Sequence, residues 1–293
     1  MTITRVALAG GTGNLGPAVV RELLDADFQV TVLGRSASSK VDARAQVQVV
    51  DFNSLDSMVN ALKGHDAFVN VLGVGVIPLD IHLRIVEAAH AAGIQRFIPS
   101  EFGCDTANPN TARLPAFSDK ITLVKRLEEL SKKDRNFTYT AIITGPFLDW
   151  GIRHGLLVNL QGPTTIYDGG DVPVSTNTLA SVGRAVVGTL KHAEETKNRH
   201  VYAEEARVTQ NQLLNWSGKN DQIERVFVKT EDLEREGFEA FHQSSEDWKE
   251  YAAKLIRRAV FGGNFGTAFT KVDNEVLGLS KLSEPDLIRL VKE

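Results

Sequence analysis

The stretch Gly10-Gly11-Thr12-Gly13-Asn14-Leu15-Gly16 carries the clearest chemical meaning in this chain. Glycines at 10, 13 and 16 lie between an apolar run, Arg5–Ala9, and an amphipathic stretch. That spacing lets a strand turn sharply into a helix, brings backbone N–H groups up to a pyrophosphate, and lets helix and strand pack closely. The helix N-terminus adds free N–H donors and a positive dipole end. On this reading Gly10, Thr12, Gly13, Asn14, Leu15 and Gly16 cradle a dinucleotide, and Gly13 takes a positive φ. A purely structural turn is the other use of such glycines.

The next strand decides which dinucleotide. NAD sites place Asp or Glu at its end to accept from the adenosine 2′-hydroxyl. Here Gln29–Leu33 runs into Gly34-Arg35-Ser36, with no carboxylate. The planar fork of Arg35 suits a 2′-phosphate, and Ser36 and Lys40 add donors, so the expected cofactor is NADPH/NADP+. Asp51 and Phe52, after the third strand, suit the edge and face of an adenine, although Asp is also ordinary turn chemistry there.

Several catalytic signatures are missing. None of Tyr139, Tyr167, Tyr202 and Tyr251 has a lysine four residues on, so the Tyr-x-x-x-Lys pair of short-chain dehydrogenases is absent. There is no G-x-S-x-G elbow and no H-E-x-x-H, and the histidines show no metal-ligand spacing, so no metal is expected. Cys104 is the only cysteine, which excludes an intrachain disulfide framework and a cysteine-clustered zinc site. Lys and Arg number 33 against 37 Asp and Glu, a net charge of -4, which argues against nucleic acid as the partner. No apolar run is long enough to span a membrane, and the first residues lack the basic and apolar regions of a signal peptide. A cytoplasmic protein, monomeric or homodimeric, is the expectation.

The elements that must position these residues follow from periodicity. Helix Ala18–Ala26 follows the glycines; strands fall at Gln46–Val50, Ala67–Leu72, Arg96–Pro99 and Thr138–Ile143. Helices fall at Leu55–Leu62 with Ser54 as cap, at Leu79–Ala92 ending at Gly93, and near Phe117–Ser131, after an irregular stretch Ser100–Leu114. Strands alternating with helices predict an α/β fold, a Rossmann-type doubly wound parallel sheet with a smaller C-terminal substrate lobe. Residues 1–150 form the dinucleotide domain and 151–293 mainly the substrate lobe, with part of 165–203 returning to the first domain. Beyond residue 150, helices are read at Thr176–His192, Gln210–Trp216, Glu246–Phe261 and Ser283–Lys292, and a strand at Ile223–Lys229. Gly262–Gly266 reads as a loop, and the charged stretch Lys219–Arg258 as a solvated helical surface.

The chain also resembles a family. GGTGNLG, Arg35, the run Arg96-Phe97-Ile98-Pro99-Ser100-Glu101-Phe102-Gly103 and then Phe117-Ser118-Asp119-Lys120 look like the NmrA-like and isoflavone-reductase-like group, which are atypical short-chain dehydrogenases. The resemblance covers residues 3–190 well and the remainder loosely. It implies that Lys120 sits beside the nicotinamide as general acid/base, without a tyrosine, and that Gly145-Pro146-Phe147 covers the nicotinamide ring. The plant reductases carry an Asn-x-Phe-type sequence at that turn, and this chain does not. Taken alone, a lysine in a first helical turn is a surface charge; at the ligand edge of the sheet, in a partly apolar pocket, it can exchange protons near neutrality.

Glu101, Phe102, Phe147, Trp150 and His154 are the candidate pocket residues for a flat aromatic substrate. Glu101 serves equally well as a structural cap or pair, and the aromatics as core. The resulting expectation is an NADPH-dependent reductase of a small aromatic or phenolic metabolite, of the kind used in secondary metabolism. Two alternatives are a non-catalytic NADP(H) sensor that binds a regulatory protein and a redox-neutral isomerase or cyclase on the same fold.

Overall fold

The computed structural model describes residues 2–36 and 41–293. Strand β1 (Arg5–Ala9) turns through the glycines into α1 (Gly16–Asp25); β2 (Gln29–Gly34), β3 (Gln46–Val49), α2 (Leu55–Leu62), β4 (Ala67–Asn70), α3 (Leu79–Ala91) and β5 (Arg96–Ile98) follow. Ser54 caps α2, its hydroxyl accepting from the Ser57 amide at 3.2 Å. The irregular stretch contains a short helix, α4 (Pro109–Ala112), and a tight turn Pro115–Phe117 that leads into α5 (Ser118–Lys133) and β6 (Thr138–Ile143).

These strands and a later one, β9 (Arg199–Tyr202), form a seven-stranded sheet in the order β3-β2-β1-β4-β5-β6-β9, with every pair parallel. The strand order reverses between β1 and β4, which opens a crevice at the strand carboxyl ends; ligands of open α/β sheets bind there. Side chains of β1 alternate between the faces. Val6 and Leu8 join the core shared with α1, while Ala7 and Ala9 face α2, α3 and α5. Both faces are covered, which explains the apolar runs in the central strands.

The second half of the chain leaves the sheet and returns. After α6 (Leu148–Arg153), β7 (Thr164–Tyr167) and β8 (Val174–Thr176), helix α7 (Leu179–Lys191) packs against α1. The helix expected from Thr176 starts later because Val174–Thr176 pairs with a strand 30 residues on, and Thr178 caps α7 through the Ser181 amide. Helix α8 (Ala193–Thr196) then delivers β9 (Arg199–Tyr202) to the sheet edge.

Arg96 holds that return in place. Its fully buried guanidinium donates to the Thr138, Thr140 and Thr196 hydroxyls at 3.0–3.1 Å and to the Ala193 carbonyl at 2.5 Å. Burial lowers its pKa to about 10. These bonds offset the desolvation of a buried cation.

The remaining elements are β10 (Ala206–Val208), α9 (Gln210–Ser217), β11 (Arg225–Val228), α10 (Thr230–Gln243), α11 (Trp248–Phe261), α12 (Asn274–Leu277) and α13 (Glu284–Lys292). The charged stretch read as a solvated surface is two helices packed on each other, α10 and α11. Leu255 and Ala259 lie in a second core that also takes in Cys104, Leu114 and Phe117. Among the described residues, no helix is long and apolar enough to cross a membrane.

Candidate functional site

The three loop glycines have different reasons to be glycine. Gly10 takes φ +91°, and a Cβ on it would lie 2.8 Å from the Val71 backbone. A Cβ on Gly16 would lie 2.2 Å from the Gly10 carbonyl oxygen, so this glycine is required by the close packing of helix on turn. Gly13 was expected to need a positive φ and does not have one; a Cβ there would meet only the Gly10 carbonyl oxygen, at 3.4 Å. Among the described residues, nothing demands glycine at 13.

Thr12, Gly13 and Asn14 are exposed in front of α1. The helix begins without a side-chain cap and without an acidic residue in its first turn. Its N-terminus therefore keeps an uncompensated positive end beside an open backbone surface. A pyrophosphate fits these features: its close approach is what a side chain at 13 would obstruct.

Arg35 and Ser36 are exposed at the end of β2; Lys40 lies outside the described residues. A hollow of about 340 Å³ is lined by Arg35 together with Val49, Val50, Asp51, Phe52 and Asn53. Asp51 has two uses, since its Oδ1 accepts from the Asn53 amide at 2.9 Å while the residue lines the hollow. Arg35, Asp51 and Phe52, separated in sequence, meet at this one hollow.

Lys120 lies half-buried in the first turn of α5, and its Nζ donates to the Glu101 carbonyl. It also lies 3.8 Å from where a Cβ on Gly103 would be. The Gly103 carbonyl in turn accepts from the Thr144 and Gly145 amides at 3.3 and 2.9 Å. These bonds bring Lys120, the loop after β5 and the Gly145-Pro146-Phe147 turn after β6 to one place. Phe147 is tied onward to the second half of the chain, where the Leu148 amide donates to the Asn177 carbonyl at 2.8 Å.

The side chains of the five candidate pocket residues are not gathered at one place. Glu101 is 1% exposed, and its carboxylate accepts from the Thr106 hydroxyl at 2.5 Å within its own loop. Phe102 is buried in the core beneath α1 and α7, with Phe147 packed against it. Trp150 and His154 stack on each other with ring centroids 4.4 Å apart. His154 lines a separate cavity of about 700 Å³, with Arg153, Lys219 and Arg257, whose lining includes neither Lys120 nor Glu101.

Other aromatics pack around the turn that leads into α5. Helix α11 packs on the Pro115–Phe117 turn just before it. Tyr251 is buried there, its ring edge-on to Phe241 at 5.1 Å, and burial together with the charge of Asp119 pushes its phenol pKa up. Burial likewise pushes Asp119 up. It pushes the Cys104 thiol up to about 11, opposed by the nearby charge of Lys120, so this cysteine is a buried apolar filler and a poor nucleophile. At the start of α11 the Trp248 indole lies against Gly75, where a Cβ would come within 2.2 Å of the ring. Trp248 thereby joins the segment after β4 to the second core. No short-range pattern marks Phe241, Trp248 or Tyr251; they join the second core beside Phe117 only by tertiary packing from more than 120 residues away.

Comparisons with known proteins agree with this architecture. Residues 2–255 match the NmrA-like family. An Aspergillus flavus protein named oxidoreductase aprR is 37% identical over 221 residues, covering 73% of this chain and 72% of its own. Oxidoreductase poxI of Penicillium oxalicum is 28% identical over 97% of this chain and 92% of its own length. The leucoanthocyanidin reductase of Vitis vinifera, solved as a binary complex with NADPH, superposes with a TM-score of 0.76 over 99% of this chain and 100% of that one, at 21% identity. The chain belongs to the NmrA-like family.

Proposed function

We propose that the protein is an NADPH-dependent oxidoreductase that reduces a small aromatic or phenolic molecule. The observation that carries this reading is Gly13, a glycine that the protein's own packing does not require, exposed before an uncapped helix that begins at the crevice edge. Arg35 and the absence of a carboxylate after β2 favour the 2′-phosphorylated cofactor, and the names of the fungal relatives agree with redox chemistry.

Gly10–Gly16 and the start of α1 hold the pyrophosphate, Arg35 and Ser36 the 2′-phosphate, and Asp51 and Phe52 the adenine. Bound there, the reduced nicotinamide supplies a hydride. Lys120 acts as the general acid. One of its three N–H donors is committed to the Glu101 carbonyl, which orients the ammonium, and the others remain to donate to a ribose hydroxyl and to a substrate oxygen. Phe117, Phe241, Trp248 and Tyr251 supply the apolar and aromatic side of the pocket and exclude water from the reacting carbon. Residues 1–150 serve mainly the cofactor, and the later residues mainly the substrate.

The test is a titration with NADPH and NADH, followed by NADPH oxidation with a panel of aromatic enones and benzylic ethers. Tight NADPH binding, weak NADH binding and turnover of a panel member are expected. Equal affinity for the two cofactors overturns the cofactor assignment. NADPH binding without turnover, together with a protein partner whose affinity responds to the cofactor, replaces the enzyme with a sensor.

A further inference from the structure

His82 lies near the start of α3, wholly buried, and none of the steps above uses it. Its Nδ1 is 3.0 Å from the Asn70 amide nitrogen, while the Asn70 amide oxygen accepts from the Leu72 N–H at 3.1 Å. With the oxygen committed to a backbone donor, the amide nitrogen must face the ring and donate to it. Nδ1 is then the bare nitrogen, and the ring proton sits on Nε2. Burial lowers the imidazole pKa, opposed by a hydrogen bond to the Gly73 backbone and assisted to a smaller extent by the positive charge of Lys120; the balance favours the neutral ring, with Nδ1 free to accept.

Asn70 ends β4, opposite Ala9 of β1, and the chain beyond it forms the wall on which the glycine turn rests. A Cβ on Gly10 would lie 2.8 Å from the Val71 carbonyl carbon and 2.9 Å from the Leu72 nitrogen. The amide that Asn70 pins is thus the one that Gly10 abuts.

We propose that His82 is a positioning residue for the dinucleotide loop: its neutral imidazole orients the Asn70 amide, which holds Leu72 and so sets the backbone wall behind Gly10. The link to cofactor binding rests on the reading that this loop holds NADPH; the link to Leu72 does not. A histidine kept only for packing would be replaced without loss by a leucine.

The experiment uses the full chain and the variants His82→Leu, His82→Gln and Asn70→Leu. Amide hydrogen exchange is followed at residues 70–73 and 10–13 without cofactor, and NADPH affinity is measured by fluorescence. Loss of one such hydrogen bond predicts roughly five- to tenfold faster exchange at Leu72 and NADPH binding weaker by a similar factor in His82→Leu. Glutamine can accept from Asn70 through its amide oxygen, so His82→Gln should restore both readouts to within about twofold. Asn70→Leu keeps His82 but removes both bonds, so it should match His82→Leu and decides the matter if the latter does not fold. Wild-type exchange in His82→Leu or in Asn70→Leu overturns the proposal, as does a His82→Gln variant that behaves like His82→Leu. If the wild type binds no NADPH, the functional reading fails, and exchange at Leu72 still decides the role of His82.

Discussion

The two sides of the crevice are built by different means. On the nucleotide side the work falls to backbone: a turn, a helix end and two strand ends, with Arg35 beside Asp51 and Phe52 around one hollow. On the Lys120 side it falls to side chains that arrive from far apart, with Lys120 held by the Glu101 carbonyl while Trp248 and Tyr251 come down from α11. Backbone devices are local and tolerate change around them. Side chains that arrive from distant segments depend instead on how the cores pack.

Exchanging Lys120 for methionine should separate the two sides most sharply. The variant keeps most of the side-chain volume and removes the titrating group, so kcat should fall about 10²- to 10⁴-fold while NADPH affinity changes by less than about fivefold. Wild-type turnover in Lys120→Met would remove the lysine from the mechanism.

The loop glycines supply the next contrast. Gly13→Val should weaken NADPH binding by about a hundredfold or more and leave the unfolding temperature within about 2 °C of wild type, since only the Gly10 carbonyl is near. Gly16→Val should do the reverse and cost about 3 kcal/mol of stability or more, because its side chain would overlap the Gly10 carbonyl. Calorimetry with a cofactor titration reads both. Equal behaviour of the two variants would mean that Gly13 is a structural glycine as well.

Arg35→Ala should weaken NADPH by about ten- to a hundredfold and leave NADH nearly unchanged, which is the loss of one charge-assisted contact. An equal loss for both cofactors would place Arg35 away from the 2′-phosphate. The smallest effect is expected at Trp248. Trp248→Ala should raise the KM of the organic substrate by roughly three- to tenfold, by opening the aromatic side of the pocket, with NADPH affinity unaltered. If instead NADPH binding falls and KM does not, Trp248 belongs to the nucleotide side and the division drawn above is misplaced.

Much of the first half was legible because its signals are local. Apolar runs of four to six residues, glycines at helix ends and the Ser54 cap depend on neighbours a few positions away, and β1, α2, α3 and β6 fall where periodicity puts them to within a residue. Whether Thr176 opens the helix or ends a strand was not legible, because pairing of Val174–Thr176 with Ala206–Val208 decides it. Nor was the fate of Glu101, whose carboxylate could as well have faced a ligand until the Thr106 hydroxyl was found to hold it inside its loop.

The sequence by itself determined an α/β chain with a glycine turn, a strand end without a carboxylate and a lysine at the start of a helix. Each of these is written in residues that touch one another along the backbone. The tertiary structure alone decided that β9 returns to complete the sheet around Arg96, that His154 lines a cavity to which Lys120 does not contribute, and that Trp248 lies on Gly75. Those outcomes depend on which side chains meet across more than 50 residues of chain, and composition and spacing carry no term for the direction in which a side chain points once two cores have packed.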